Sequence, residues 1–166
     1  KDEPLKLLAL RLLWFTGVRV SELCDIEVRE LDLQEKCAYV HSRKSFKPKL
    51  ISWDDETNDL IVTCLGGTPD RHFLFSSTDH RYKGKYTTRS IQRWIEGLCK
   101  QAGIKKKITP HAFRHGFTKE NLNIGMDIPA IQEMLGHKNI ATTQIYTHVT
   151  NRQLKEIHKN FHSGNK

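Results

Sequence analysis

Residues 111–146 read HAFRHGFTKENLNIGMDIPAIQEMLGHKNIATTQIY, and the rest of the chain is arranged to present them. The stretch opens on two histidines flanking an arginine, passes a Leu-Gly-His turn and closes on a tyrosine among threonines. On a helix, His111, Arg114, His115 and Thr118 recur at i, i+3, i+4 and i+7 and share a polar face. Phe113, Phe117 and Ile124 fall on the other side, which suits a core, so the basic stripe is expected to face a cleft.

The local signals bound these helices. Thr109 suits an N-cap and Pro110 the first helical position. Ile108 and Phe113 are spaced to form a hydrophobic staple. His111 then sits in the first turn, where free N–H groups and the positive dipole end favour an anion such as phosphate. Asp127 is expected to cap a short helix that turns Ile128, Ile131, Met134 and Leu135 inward. Gly136 suits the left-handed stop after it, which leaves His137 just beyond a helix end. Asn139 can cap the next short helix, which carries Tyr146.

Far upstream, residues 16–23 read TGVRVSEL. A helix over about 4–15, with Leu5, Leu8, Leu12 and Phe15 at helical spacing, ends at Thr16-Gly17, and Ser21 can cap a second short helix. Arg19 therefore lies between helices, on a turn held by apolar neighbours.

Taken together, these residues resemble the tyrosine recombinase (phage integrase) family. Its signature is His-x-x-Arg, then Leu-Gly-His, then a nucleophilic tyrosine; here these are His111–Arg114, Leu135–His137 and Tyr146, nine residues after His137. The segment around Arg19 resembles the one that carries the family's first arginine. The resemblance implies a mostly helical α+β catalytic domain with a small antiparallel sheet. It implies cleavage and rejoining of DNA strands through a 3′-phosphotyrosyl link, with a free 5′-hydroxyl. A related type IB topoisomerase-like relaxation and a DNA-binding module without chemistry are the alternatives.

That chemistry needs a nucleophile, cations on the two non-bridging oxygens and an acid for the leaving oxygen. Arg19 and Arg114 suit the clamp, since guanidinium grips phosphate in a bidentate fashion that lysine cannot copy. His111 and His137 add donors, and Tyr146 is the expected nucleophile. The family's leaving-group acid is a hairpin lysine, usually between glycines; this chain departs from that pattern, with Lys44 between Arg43 and Ser45. Lys44 is the first choice and Lys47 the second. Glu22 and His115 match supporting positions.

The remaining chain supplies the frame. Residues 37–41 and 50–53 alternate like paired strands around a basic hairpin tip over 42–49, and 73–75 reads as a short third strand. Asp54 is expected to cap a helix to Leu65, and Thr87 or Thr88 one to about Ala102. A final amphipathic helix is expected from Asn151 with Leu154, Ile157 and Phe161. Arg43, Lys47, Lys49, Lys105, Lys106 and Lys107 are candidate DNA contacts.

At 166 residues the chain is read as one catalytic domain over 1–166. Arg19 arrives early for the family, so a C-terminal fragment lacking an upstream core-binding domain is expected. A net charge of +8 points to a polyanionic partner, here double-stranded DNA. The family's habit implies a homotetramer on paired sites, with a monomer open to the isolated fragment. Cys24, Cys37, Cys64 and Cys99 lack ligand spacing, and His111 and His115 bracket an arginine without the glutamate of a zinc helix. No metal or cofactor is expected. With no apolar run of about 18 residues, a cytoplasmic protein without a membrane segment is the expectation.

Overall fold

The computed structural model describes residues 3–42, 45–66, 72–76 and 84–136, with side chains of 45–47 left aside. Arg43, Lys44, His137, Tyr146 and the helix expected from Asn151 lie outside the described residues.

The first helix, α1 (Glu3–Thr16), buries Leu5, Leu8, Ala9, Leu12 and Leu13. It stops because Gly17 takes a left-handed φ of 59°. The next helix, α2 (Val20–Cys24), has Arg19 as its N-cap rather than Ser21. The Arg19 backbone N–H donates to Glu22 Oε2 at 2.9 Å, so Glu22 at the third helical position performs the capping.

After a 3₁₀ turn over Val28–Glu30 come β1 (Leu31–Asp32), β2 (Cys37–Ser42) and β3 (Ser45–Ser52). They form an antiparallel sheet in that order. The third strand is thus Leu31–Asp32, not 73–75. Phe73 makes only an isolated bridge to Glu27, because Leu74 N–H donates to Ile26 O beside α2 instead of joining the sheet. Strand β3 also runs through 45–49, so much of the expected hairpin tip is ladder.

The helix α3 (Asp55–Leu65) is capped by Asp54, whose carboxylate accepts from Thr57 N–H at 2.9 Å. Asp54 also takes Arg11 of α1 at 2.6 Å, which ties the two helices together. Thr87 caps α4 (Thr88–Gln101) by accepting from Ser90 N–H. The signature helix α5 (Pro110–Asn123) begins at Thr109 as expected, with no bond from the Thr109 hydroxyl. A short α6 (Ile128–Met134) follows, and Gly136 takes a φ of 67° after it. None of the described helices is long and apolar enough to cross a membrane.

The main core joins α1, α2, the sheet, α3 and α4 through Leu8, Leu13, Leu23, Ile51, Ile61, Phe75 and Ile91. A second cluster of Phe117, Ile131, Met134 and Leu135 locks α5 to α6. Ile124 and Ile128, expected inward, are 55% and 60% exposed. Both lie at the α5–α6 turn, where the chain has left the regular helix face that Phe117 and Ile131 bury.

Helices α1 and α5 meet through Trp14. Trp14 packs edge-on against Phe113 with ring centroids 6.5 Å apart. A Cβ on Gly116 would sit 2.6 Å from Trp14 Cζ3, so only a glycine admits the indole there. This contact sets the start of α5 beside the end of α1, where Arg19 emerges.

Candidate active site

Gly17 brings the two halves of the site together. A Cβ at this position would lie 2.6 Å from Phe117 Cδ1 and 2.8 Å from Leu135 Cδ2. Its absence lets the α1–α2 turn seat against α5 and the end of α6. The Gly17 carbonyl then accepts from Arg114 Nη1 at 2.6 Å, while Arg114 Nη2 donates to Leu135 O at 2.8 Å. One guanidinium fork therefore binds the turn that launches Arg19 to the turn that leads into His137. Lysine has no fixed pair of donors with which to reproduce this.

Arg114 is 7% exposed, so the stripe expected to face a cleft is buried at this residue. Burial, and then the nearby Arg19 charge, push its pKa down to about 10, opposed by Glu22. The group still carries its charge at neutral pH. His111, one turn earlier, and His115 are exposed, as are Lys105, Lys106 and Lys107 ahead of the helix.

Glu22 is the anionic counterpart. Its side chain is 2% exposed, yet it remains a carboxylate among cations. Oε1 accepts from Arg19 Nη1 at 2.7 Å, and Oε2 takes the Arg19 backbone N–H as well. Oε2 also lies 2.9 Å from Lys49 Nζ. Burial would raise the Glu22 pKa, but the Lys49 charge and the hydrogen bonds from Arg19 and Lys49 outweigh it and hold the carboxyl below its ordinary value.

Lys49 therefore occupies a place that its reading as a surface DNA contact does not anticipate. It pairs across the ladder with Val40, as Ile51 pairs with Ala38, so it shares their inward face. Its side chain is 9% exposed, and its stem would touch a Cβ added at Gly136 at 3.5 Å. The structure thus gathers Arg19, Glu22, Lys49 and Arg114 from α2, β3 and α5. Among the described residues, no hydrogen bond or ion pair joins His111 or His115 to that cluster. The Lys47 side chain lies outside what is described.

Such a cluster places two guanidiniums and an ammonium around one carboxylate, a net positive charge of the sign that suits a phosphodiester. Comparisons with known proteins agree with it. The sequence profile of the phage integrase family matches residues 2–153. Tyrosine recombinase XerA of Pyrococcus furiosus is 36% identical over 157 residues, covering 94% of this chain and 54% of the relative. A crystal structure of XerA recombinase superposes with a TM-score of 0.69 at 35% identity, covering 96% of this chain and 63% of that one. At 22% identity, the XerH site-specific recombinase bound to difH substrate shares the fold, with a TM-score of 0.71 over 93% of this chain and 46% of that one. The chain spans about half the length of the curated relatives it matches. On its sequence, its fold and the arginine pair it assembles, the chain belongs to the phage integrase family.

Proposed function

We propose that this chain is the catalytic part of a tyrosine-type site-specific recombinase or integrase that cuts and rejoins double-stranded DNA without a metal. The observation that carries the reading is that Arg19 pairs with the buried Glu22 carboxylate while Arg114, 95 positions away in sequence, donates to the carbonyl of Gly17 in the turn that leads to Arg19. Two guanidiniums so placed can hold the non-bridging oxygens of a single phosphate as negative charge builds.

In the proposed reaction the Tyr146 phenolate oxygen attacks phosphorus, and the phosphorus–5′-oxygen bond breaks. The tyrosine proton is lost to a nearby base or to solvent, and Lys44, with Lys47 as the second candidate, protonates the departing 5′-oxygen. His111 and His137 add hydrogen bonds to the phosphate, while Glu22 and His115 orient the groups that touch it. The 3′-phosphotyrosyl bond conserves the energy of the broken ester. A different 5′-hydroxyl can therefore reverse the step, and strands exchange without a nucleotide cofactor. DNA contacts from Arg43, Lys47 and Lys105–Lys107, and assembly of four subunits on paired sites, belong to the same proposal.

The test is covalency. The protein is incubated with a nicked suicide duplex whose leaving strand diffuses away, and the products are run on a denaturing gel. A protein–DNA adduct that disappears in Tyr146→Phe is expected. Salt-sensitive binding with no adduct under any condition would instead identify a binding module.

A further inference from the structure

We propose that Lys49 is a positioning residue of the phosphate site, which offsets the Glu22 carboxylate so that the cluster around Arg19 and Arg114 keeps its positive charge for the substrate. This rests on the phosphoryl-transfer reading above and adds to it a cation that the hairpin supplies from its ladder rather than from its tip.

The geometry carries the argument. Lys49 Nζ has almost no accessible surface and lies 2.9 Å from Glu22 Oε2. Among the described residues, Glu22 is the carboxylate that meets this ammonium. An ammonium buried in this way is costly unless a charge compensates it. Glu22 does so from α2, while Arg19 at the α2 cap and Arg114 on α5 oppose it, and the Gly136 turn covers its stem.

These four groups define the charge of the site. With Lys49 protonated, three cations face one carboxylate and a net two positive charges remain. That matches a phosphodiester acquiring a second negative charge as it is attacked. With Lys49 neutral, one net positive charge remains, and the Glu22 carboxylate, no longer offset by the ammonium, holds Arg19 against the phosphate. Burial pushes the Lys49 pKa down to about 8, with Glu22 opposing and the two arginines adding to the fall. The change of charge therefore falls within an accessible pH range.

A structural lysine and this one differ in their pH profiles. Adduct formation is measured from pH 6.5 to 9.5 with the full chain at subsaturating suicide duplex, so that the rate reports the free protein. Wild type, Lys49→Arg and Lys49→Met are compared, with circular dichroism for folding and Tyr146→Phe as the adduct-free control. The wild-type rate is expected to fall as pH rises through about 8. Lys49→Arg, whose charge does not titrate there, keeps the neutral-pH rate within a few-fold and loses that decline. Lys49→Met is slower by roughly 10- to 100-fold at pH 7, less than the loss of a donor that touches the phosphate itself, and changes little with pH.

Wild-type rates in Lys49→Met, or the same alkaline decline in Lys49→Arg as in wild type, would overturn the role of Lys49 while leaving the enzyme reading intact. Absence of any adduct in wild type would remove the enzyme reading and this proposal together. Should Lys49→Met fail to fold, the comparison of wild type with Lys49→Arg decides.

Discussion

Replacing Gly17 by alanine tests whether the site is assembled through the α1–α2 turn. Two penalties add at this position. A non-glycine residue at φ +59° incurs roughly 1–2 kcal/mol of backbone strain. The new Cβ would also sit 2.6 Å from Phe117 and 2.8 Å from Leu135, both almost fully buried, and overpacking of this kind costs about 1–3 kcal/mol. Gly125 provides the control, since its φ is +85° and nothing lies within 4 Å of an added Cβ. Gly125→Ala thus carries the strain alone. Urea unfolding of the two variants should show Gly17→Ala the less stable by roughly 1–3 kcal/mol, with a Tm lower by a few degrees per kcal/mol. Because the Gly17 carbonyl holds Arg114, the same variant should lose cleavage beyond what its unfolded fraction explains. Equal destabilisation by the two alanines would refute the close approach and the assembly argument built on it.

Other consequences follow from the buried charges. Glu22→Gln leaves the Lys49 ammonium without its compensating charge, so stability should drop by roughly 3–5 kcal/mol at pH 7. The folded-state pKa of Lys49 lies below its unfolded value, so the penalty is present below that folded pKa. It is relieved as pH rises toward the unfolded pKa, because the folded form then sheds the proton first. Urea melts at pH 7 and 9.5 should therefore show a smaller loss at the higher pH; an identical loss would remove Lys49 as the cause. Among the cysteines, burial pushes the Cys24 thiol up to about 12 and Cys37 is also buried, whereas Cys64 and Cys99 are partly exposed. A thiol reagent should label the latter two in the native protein and all four in denaturant. Rapid native labelling of Cys24 would contradict its burial.

Much of this architecture was legible because local chemistry and tertiary packing agree. Asp54 and Thr87 cap the helices they precede, and Gly17 and Gly136 stop theirs in the left-handed region. The leucines of α1 bury as their spacing requires. Where the reading failed, a partner distant in sequence decided. Residues 73–75 look like a strand by composition, but the backbone of Leu74 is taken by Ile26. The polar stripe of α5 is expected to face a cleft, but the Gly17 and Leu135 carbonyls that make the depth of Arg114 tolerable come from segments distant in sequence.

Lys49 is the instructive miss. Its position in a run of lysines suggested a surface, whereas strand phase indicated the interior. Residues 49, 51 and 53 alternate together, and Ile51 and Trp53 are core. Extending that period by one step from Ile51 points Lys49 inward. Its partner Glu22 could not be read from the sequence, because the two meet only when β3 packs beside α2.

The central claim is that Arg19 and Arg114 act on one scissile phosphate, and the most direct measurement is the rate of adduct formation in their alanine variants. Arg19→Ala and Arg114→Ala, each shown to be folded, should lower that rate by about 10²–10³-fold, the loss expected for a transition-state donor. The double variant should lose less than the product of the two, since groups acting on one phosphate are not independent. Near-normal cleavage by either single variant would contradict the account, for it would leave that guanidinium with no part in holding the phosphate.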